Sequence, residues 1–272
     1  MQSIEILKLC PYIHTLLRPP FSYADALHFE YEAAGVSLPV LKRLEWWHHD
    51  EAERSGGINS LAAVLHGAPN LTYLFVGGIS GFGRIGIGMQ RETPSLLQLQ
   101  TLRLCAINHL LLHQIVSRWS LPSLTCIVLD TPLQDSNWRL IWDAFGSHLK
   151  AIEFGKHIRF LANNQLSPCL NGCPGLKELN FYIYFTLPEK DLQPHTNLTT
   201  VRLHAAVNQF LPDDALWQLI DAHFKVFCGS NLPALRHIIL YGDWKPILHD
   251  PRFTSIQDKL REFGRFLETE DS

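Results

Sequence analysis

A short apolar pattern that recurs along the chain constrains its fold more than any other feature of the sequence. In a typical copy, apolar residues stand at an anchor position and at three and five positions beyond it, as at Leu41, Leu44 and Trp46. We place nine anchors, at Ile13, Leu41, Leu71, Leu99, Leu124, Leu149, Leu176, Leu198 and Leu235. Successive anchors lie 28, 30, 28, 25, 25, 27, 22 and 37 residues apart. A period of about 20 to 50 residues is typical of proteins that stack copies of one structural unit.

Proline marks the start of most copies. The chain has 16 prolines in 272 residues, and six of them stand two positions before an anchor: Pro11, Pro39, Pro69, Pro122, Pro174 and Pro233. Proline cannot continue a helix, and it pushes the residue before it toward extended geometry. Each proline therefore predicts a junction where a helix gives way to a strand. The residue before it is always apolar, which predicts a core position for Cys10, Leu38, Ala68, Leu121, Cys173 and Leu232.

The segments between the apolar patterns carry helical spacing. Leu61, Ala62 and Leu65 share one helical face, and a longer helical segment through 215–227 accounts for the widest interval. Thr254 to Leu267 predicts a closing amphipathic helix, with its apolar residues Ile256, Leu260, Phe263 and Leu267 facing inward. The alternation predicts an α/β fold of about nine repeats with parallel short strands, in a single domain over residues 1–272.

The grammar of these strands resembles that of a known family. The run Cys-Pro-x-Leu-x-x-Leu-x-Phe at 173–181, with repeats near 27 residues, resembles the leucine-rich repeats that follow an F-box in ubiquitin-ligase substrate receptors. The run 38–61, with Trp46-Trp47-His48-His49, is similar to F-box-type proteins of mushroom-forming fungi. The resemblance covers roughly residues 1–245. It implies an irregular leucine-rich-repeat solenoid with parallel short strands on the concave face and helices on the convex face.

The chain departs from the family pattern in two ways. Nothing before Ile13 could supply the three helices of an F-box, so we do not expect this chain to dock on the ligase adaptor. We expect it to be the C-terminal part of something longer, or to have its first repeat covered by a partner. The family usually has asparagine or cysteine three positions beyond the last apolar residue of each strand. Here that position holds other residues, which predicts irregular turns: His49, Ile79, Ile107, Pro132, His157 and Tyr184.

Composition narrows the classes of partner. A formal net charge of −3 gives no basic footprint for nucleic acid. No run approaches the roughly 18–20 apolar residues that a membrane helix needs. The six cysteines are dispersed, which favours free thiols over a disulfide framework. We therefore expect an intracellular protein of the cytoplasm or nucleus, with no nucleic-acid or membrane partner.

A glycine-rich segment offers an enzymatic alternative. Gly81 to Gly86 fits G-x-G-x-x-G, the fingerprint of dinucleotide binding, and follows a predicted strand. The fingerprint requires a helix that begins at its third glycine. Gly86-Ile87-Gly88 disfavours that helix, and Pro94 would end it. A glycine-rich insertion between repeats is the favoured interpretation, with a nucleotide-dependent enzyme as the alternative.

Other catalytic and metal-binding patterns are weaker. His48, His49, Asp50 and Glu51 are metal-ligand types, but adjacent side chains of an extended segment point to opposite sides. Cys169 and Cys173 could bind zinc only with two further ligands. No G-x-S-x-G nucleophile motif is present in the sequence. We predict no catalytic residues, no cofactor and no metal.

The outward positions of the strands carry the functional prediction, because such proteins bind partners on the concave face. One cluster spans three neighbouring strands and has the Trp, Tyr and Arg content of interface hot spots. It comprises Arg43, Glu45, Trp47, Tyr73, Phe75 and Arg103. Outward residues just past other strands are Asp130, Tyr182, His204 and Tyr241.

The cluster predicts a protein partner on the concave face. The chain would then be a non-enzymatic recognition module, possibly the substrate-binding part of an F-box-type ubiquitin-ligase receptor. In one alternative, long loops cover the cluster and make it structural. In another, the chain is a truncated product without its own partner.

Overall fold

The computed structural model describes residues 10, 12–18, 37–48, 61–78, 94–133, 135–158, 166–183, 192–205 and 213–270. Within these ranges the chain is an α/β protein with ten strands and seven helices. The strands hydrogen-bond in their sequence order within one sheet. Neighbouring strands run parallel, with helices in several of the connections. The predicted α/β fold with parallel short strands is confirmed at this level.

The strands are short, and all but the last begin two residues after an anchor. They are β1 Thr15–Arg18, β2 Arg43–His48, β3 Tyr73–Gly78, β4 Thr101–Cys105, β5 Cys126–Leu129, β6 Ala151–Phe154, β7 Glu178–Tyr182, β8 Thr200–Ala205, β9 His237–Gly242 and β10 Phe266–Thr269. The helices are α1 Leu61–Gly67, α2 His109–Arg118, α3 Asp135–Phe145, α4 Leu166–Gly172, α5 Asp213–Phe227, α6 Lys245–Leu248 and α7 Pro251–Glu262.

The apolar pattern forms the core. The eight anchors from Leu41 to Leu235 are at most 1% exposed, and their partners three and five positions on are at most 2% exposed. Burying one such leucine or phenylalanine stabilises the fold by roughly 1.5–3 kcal/mol. The first copy differs, because Arg18 takes its last apolar position. The Arg18 guanidinium carbon instead lies 4.4 Å from the ring centroid of Trp46 on β2.

Four of the prolines stand between a helix and the following strand, as predicted, and they do so in a recurring turn: Pro69, Pro122, Pro174 and Pro233. The N–H of Leu71 donates to the carbonyl of Ala68 at 3.3 Å, and Leu176 donates to Cys173 at 3.0 Å in the same way. This bond encloses a four-residue turn with proline in its second position, where the fixed φ of proline suits the turn. The same bond forms at Ile13, Leu41, Leu124 and Leu235, and at Leu99, where Leu97 stands in place of the proline. The predicted core residues before these prolines are buried, with the exception of the exposed Cys10.

One turn is built by a side chain instead. His195 is 5% exposed, and its Nδ1 accepts from the N–H of Leu198 at 3.1 Å. Its Nε2 lies 3.0 Å from the carbonyl oxygen of Cys173, so this nitrogen carries the proton and donates to it. The imidazole therefore replaces the carbonyl that other turns use, at one of the three repeats whose anchor lacks the preceding proline.

A polar ladder joins successive turns. The carbonyl of Lys42 accepts the N–H groups of both Thr72 and Tyr73, and Thr72 Oγ1 donates to it as well. The amide of Asn70 donates to the carbonyl of Pro39 at 2.7 Å. In the later repeats Asn197 donates to Pro174 at 2.8 Å in the same manner. The polar residues that flank Leu71 and Leu198 thus satisfy backbone groups that the short strands leave open.

Two compact units can be distinguished by their internal contacts. The first comprises Met1–Val128 with Gln134–Leu140, and the second comprises Leu129–Leu133 with Ile141–Ser272. The first contains β1 to β4, and the second contains β6 to β10. The single domain over 1–272 stays a prediction.

The predicted closing helix over 254–267 is wrong at both ends. Helix α7 begins at Pro251, after the N-cap Asp250, and ends at Glu262. Gly264 has φ +65°, and its N–H donates to the Arg261 carbonyl while Arg265 donates to Leu260. This is the Schellman arrangement that ends helices at a left-handed glycine.

The residues beyond that glycine take a different structure from the predicted one. They form β10, which pairs with β9 in register from Phe266 with His237 to Thr269 with Leu240. Ile256 and Leu260 are buried as predicted, but Phe263 is 52% exposed. None of the helices in the described part of the chain is long and apolar enough to cross a membrane.

Candidate recognition surface

The six residues predicted to bind a partner lie on β2, β3 and β4 of the first unit. Strand register places Arg43 opposite Tyr73, and it places Glu45 opposite Phe75, which is in turn opposite Arg103. Because alternate residues of a strand share a face, these side chains lie in adjacent rows on one side of the sheet. We call this set, Arg43, Glu45, Trp47, Tyr73, Phe75 and Arg103, the β2–β4 surface.

Arg43 links two members of the surface. Its Nε donates to Glu45 Oε1 at 2.9 Å, and its Nη2 donates to the same oxygen. Its guanidinium carbon lies 4.0 Å from the ring centroid of Tyr73, within cation–π range. The Arg43 and Glu45 side chains remain 45% and 31% exposed. The pair is thus held in place on the sheet while both groups stay accessible to a ligand.

Trp47 is seated on a glycine of the next strand. A Cβ added to Gly77 would lie 2.5 Å from Cε3 of the indole, so the ring occupies the space that any side chain there would fill. Phe75 packs against Trp47 with ring centroids 5.2 Å apart and planes at 62°. The register that pairs Trp47 with Gly77 makes this seat. The sequence shows the glycine, but only strand pairing reveals its purpose.

The remaining residues of the β2–β4 surface differ in how much of each side chain is exposed. Phe75 is 8% exposed, so it supports Trp47 from below and offers little area to a partner. Tyr73 and Arg103 are half-buried. Sequence reasoning therefore grouped the six residues correctly in space, although one of them belongs to the core. The accessible groups are guanidinium donors, one carboxylate and aromatic faces, which are the groups that carry binding energy in protein interfaces.

A second aromatic set lies on β7, β8 and β9 of the second unit. Tyr182 stacks on His204 with centroids 4.8 Å apart, and His204 stacks on Tyr241 at 5.0 Å. Arg202 Nε lies 2.7 Å from Glu178 Oε1, and its guanidinium carbon lies 5.4 Å from the Tyr241 ring centroid. We call these five residues the β7–β9 surface. The sequence signal for it is an aromatic ring six positions past three successive anchors.

Burial and two neighbouring charges shift the pKa of His204. Burial lowers the pKa of the imidazole below 6.5, the neighbouring Glu153 carboxylate raises it, and the Arg202 cation lowers it. Burial is the largest of these effects, so the imidazole is neutral near pH 7. A neutral ring between two tyrosines is suited to stacking and packing.

The structure describes only some of the residues considered above for metal and nucleotide binding. Residues 49–51 and Gly81 to Gly86 lie outside the described residues. Cys169 and Cys173 are buried, and both burial and a hydrogen bond with Cys173 raise the pKa of the Cys169 thiol. Among the residues that the structure describes, no group of three or more His, Cys, Asp or Glu side chains could hold a metal ion.

Comparison with known proteins adds no relative. No protein-family model matches the chain, and no curated protein matches it. The function therefore has to be inferred from the surfaces themselves.

Proposed function

We propose that the chain is an irregular leucine-rich-repeat solenoid that recognises a protein partner without catalysis. The β2–β4 surface is the binding face. The observation that carries this proposal is that Arg43 and Trp47 are held in place by their neighbours. Arg43 contacts Tyr73 and Glu45, and Trp47 lies over Gly77. Side chains that are already ordered lose less conformational entropy on binding.

The repeat architecture supports the solenoid. Nine parallel strands begin two residues after an anchor, and the same hydrogen bond recurs in the turns at seven of those anchors. Stacked repeats of this kind present an extended face of outward strand residues. On this proposal the strand face is concave and the helices lie on the convex side. The further proposal of a substrate-binding part of an F-box-type ubiquitin-ligase receptor is supported by the repeat grammar alone.

A matched pair of double variants tests the binding face. Proximity labelling with the wild-type chain in a cell that expresses it would supply partners, whose Kd is then measured with purified proteins. Trp47→Ala with Arg103→Ala should weaken a true partner at least tenfold, because Trp and Arg at the centre of an interface each contribute more than about 1 kcal/mol.

The control removes the same kinds of group from another element of the same unit. Leu110→Ala with Arg118→Ala takes one exposed apolar residue and one exposed cation from helix α2. It should leave the Kd unchanged. If both double variants bind every partner as the wild type does, the β2–β4 surface is not the binding face.

A further inference from the structure

A cavity of about 510 Å³ lies in the second unit beside β10 and α7. Its walls combine charged and apolar groups, including Arg261 and Leu260 from α7, Arg265 from the turn, and Phe266 and Glu268 from β10. Cavities of about 300–1,000 Å³ are the usual size for small-molecule sites. This cavity does not belong to either strand surface described above.

Arg265 is a buried cation in the wall of this cavity. The residue is 5% exposed and is held in place by the Schellman turn at Gly264. Its Nη1 donates to the carbonyls of Leu232 and Leu235 at 2.9 and 3.1 Å, and its Nη2 donates to Gly229 at 3.1 Å. An arginine has five N–H donors. These bonds use three of them, and Nε is shielded from solvent and has no hydrogen-bond partner among the residues that the structure describes.

No carboxylate neutralises this guanidinium among the residues that the structure describes. The groups that act on it are backbone carbonyls, the Cys228 thiol and a second cation, Arg236. Burial lowers the pKa of Arg265, as does Arg236, while Cys228 raises it. An arginine side chain is effectively always protonated in proteins, so the group stays charged at neutral pH. A buried charge without a counter-ion is costly, and an anion in the adjoining cavity would offset that cost.

The other walls define what kind of anion fits. Arg261 is 74% exposed and uses one donor on Asp258, at 3.1 Å, which leaves further donors for a ligand. Glu268 is engaged by His237, whose Nδ1 lies 2.6 Å from the carboxylate. Phe266 is 62% exposed and stacks on one face against His237, with centroids 5.9 Å apart. The cavity is thus lined by the exposed guanidinium of Arg261 and by the buried Arg265, next to an exposed aromatic surface.

We propose that this cavity binds a small organic anion, with its carboxylate or phosphate toward Arg261 and Arg265 and its apolar body against Phe266 and Leu260. This site is independent of the β2–β4 surface, so the failure of one proposal leaves the other standing. A carboxylate and a phosphate share the chemistry that arginine recognises, and the choice between them is left to measurement.

Calorimetric titration of the full chain provides the test, with four probes. Phenyl phosphate and phenylacetate carry both the anion and the aromatic body, inorganic phosphate lacks the body, and benzyl alcohol lacks the charge. At least one aromatic anion should bind more tightly than inorganic phosphate and benzyl alcohol. Whichever of the two binds more tightly identifies the anion class.

Variants place the binding in the cavity. Arg261→Gln should weaken the aromatic anion about tenfold, because a hydrogen bond to a charged group contributes about 1.5–3 kcal/mol. Phe266→Ala should reduce its advantage over inorganic phosphate. Lys225→Gln removes an exposed cation on α5, 68% exposed, and should change nothing. Both test positions are exposed, so folding is not at risk.

Two results would overturn the proposal. In one, none of the four probes binds the wild-type chain at millimolar concentration. In the other, Arg261→Gln and Lys225→Gln weaken the aromatic anion equally, which would indicate general attraction to cations.

Discussion

The β2–β4 and β7–β9 surfaces occupy the same positions of the repeat but have different internal contacts. In the first, Trp47 lies over a glycine and Arg43 bridges a carboxylate and a tyrosine. In the second, three rings stack on each other, and Arg202 is held by Glu178 and lies near Tyr241. Rings that stack on one another have less face to offer a partner.

The difference between the surfaces comes from one position of the repeat. Six residues past the anchor, the first surface has a tryptophan followed by a glycine in the next strand, whereas the second has Tyr182, His204 and Tyr241 in succession. A glycine makes a seat for one large ring, and three successive rings make a stack. Three substitutions test how the two units differ, and they are taken from the largest expected effect to the smallest.

The largest effect is expected at His195 of the second unit, whose imidazole takes the place of a backbone carbonyl in a turn. His195→Ala removes the acceptor of the Leu198 N–H and the donor to the Cys173 carbonyl, both in a buried site. We expect a loss of about 2–4 kcal/mol in the free energy of unfolding, measured by urea denaturation.

Two further variants separate the causes at this turn. His195→Phe keeps a ring in the site and loses the hydrogen bonds, so it should restore part of the packing lost in His195→Ala and remain less stable than wild type. His249→Ala removes an exposed histidine of the same unit and should be nearly neutral. Equal stability of His195→Ala and His249→Ala would show that the imidazole does not hold the turn.

The second effect concerns the glycine seat of the first surface. Gly77→Val fits an extended strand, but its side chain would occupy the space of the Trp47 ring, 2.5 Å from the new Cβ. We expect about 1–3 kcal/mol of destabilisation, together with greater quenching of tryptophan fluorescence by acrylamide as the indole moves outward.

A glycine of the second unit is the matched control for the seat. At Gly175 a new Cβ would meet only the flexible end of the Lys150 side chain, at 3.0 Å. Gly175→Ala should therefore leave both stability and quenching close to wild type. If Gly77→Val behaves in the same way, the indole is not held against Gly77.

The smallest effect is the pH dependence of the stacked rings. Because burial holds the pKa of His204 below its unfolded value near 6.5, the unfolded chain takes up its proton first as the pH falls. The contribution of His204 to stability is therefore present above pH 6.5 and decreases as the pH falls toward the folded pKa.

His204→Phe keeps a ring in the stack and removes the titration. The drop in Tm between pH 7.5 and pH 5.5 should be smaller in this variant than in wild type, although other groups titrate in both. A drop of the same size in the two proteins would show that the stack does not disfavour the protonated imidazole.

The repeat spacing predicted much of the fold because apolar burial is a local, periodic requirement. Each anchor from Leu41 onward is buried, and each of the first nine strands begins two residues after its anchor. The same spacing brought Arg43, Glu45 and Tyr73 onto one surface, since parallel strands in register align equal positions of successive repeats. It could not tell that Phe75 is nearly buried, because that depends on how Trp47 packs above it.

The C-terminal segment shows where periodicity is insufficient. Ile256, Leu260, Phe263 and Leu267 fit a single helix, yet Gly264 ends the helix and the following residues form β10. A short apolar run satisfies both helical and strand spacing. Here the last apolar residues pair with the edge of β9 and therefore form a strand. The prediction followed the apolar spacing and did not consider Gly264.

By itself, the sequence determined the α/β class, the parallel strands and the core positions, because the apolar spacing and the prolines act on neighbouring residues. Tertiary structure alone decided that His195 completes a turn, that Trp47 rests over Gly77 and that Arg265 lies buried with no carboxylate partner among the residues that the structure describes. Each of these features depends on residues from different repeats or elements. Their spacing along the chain does not predict the distance between their atoms.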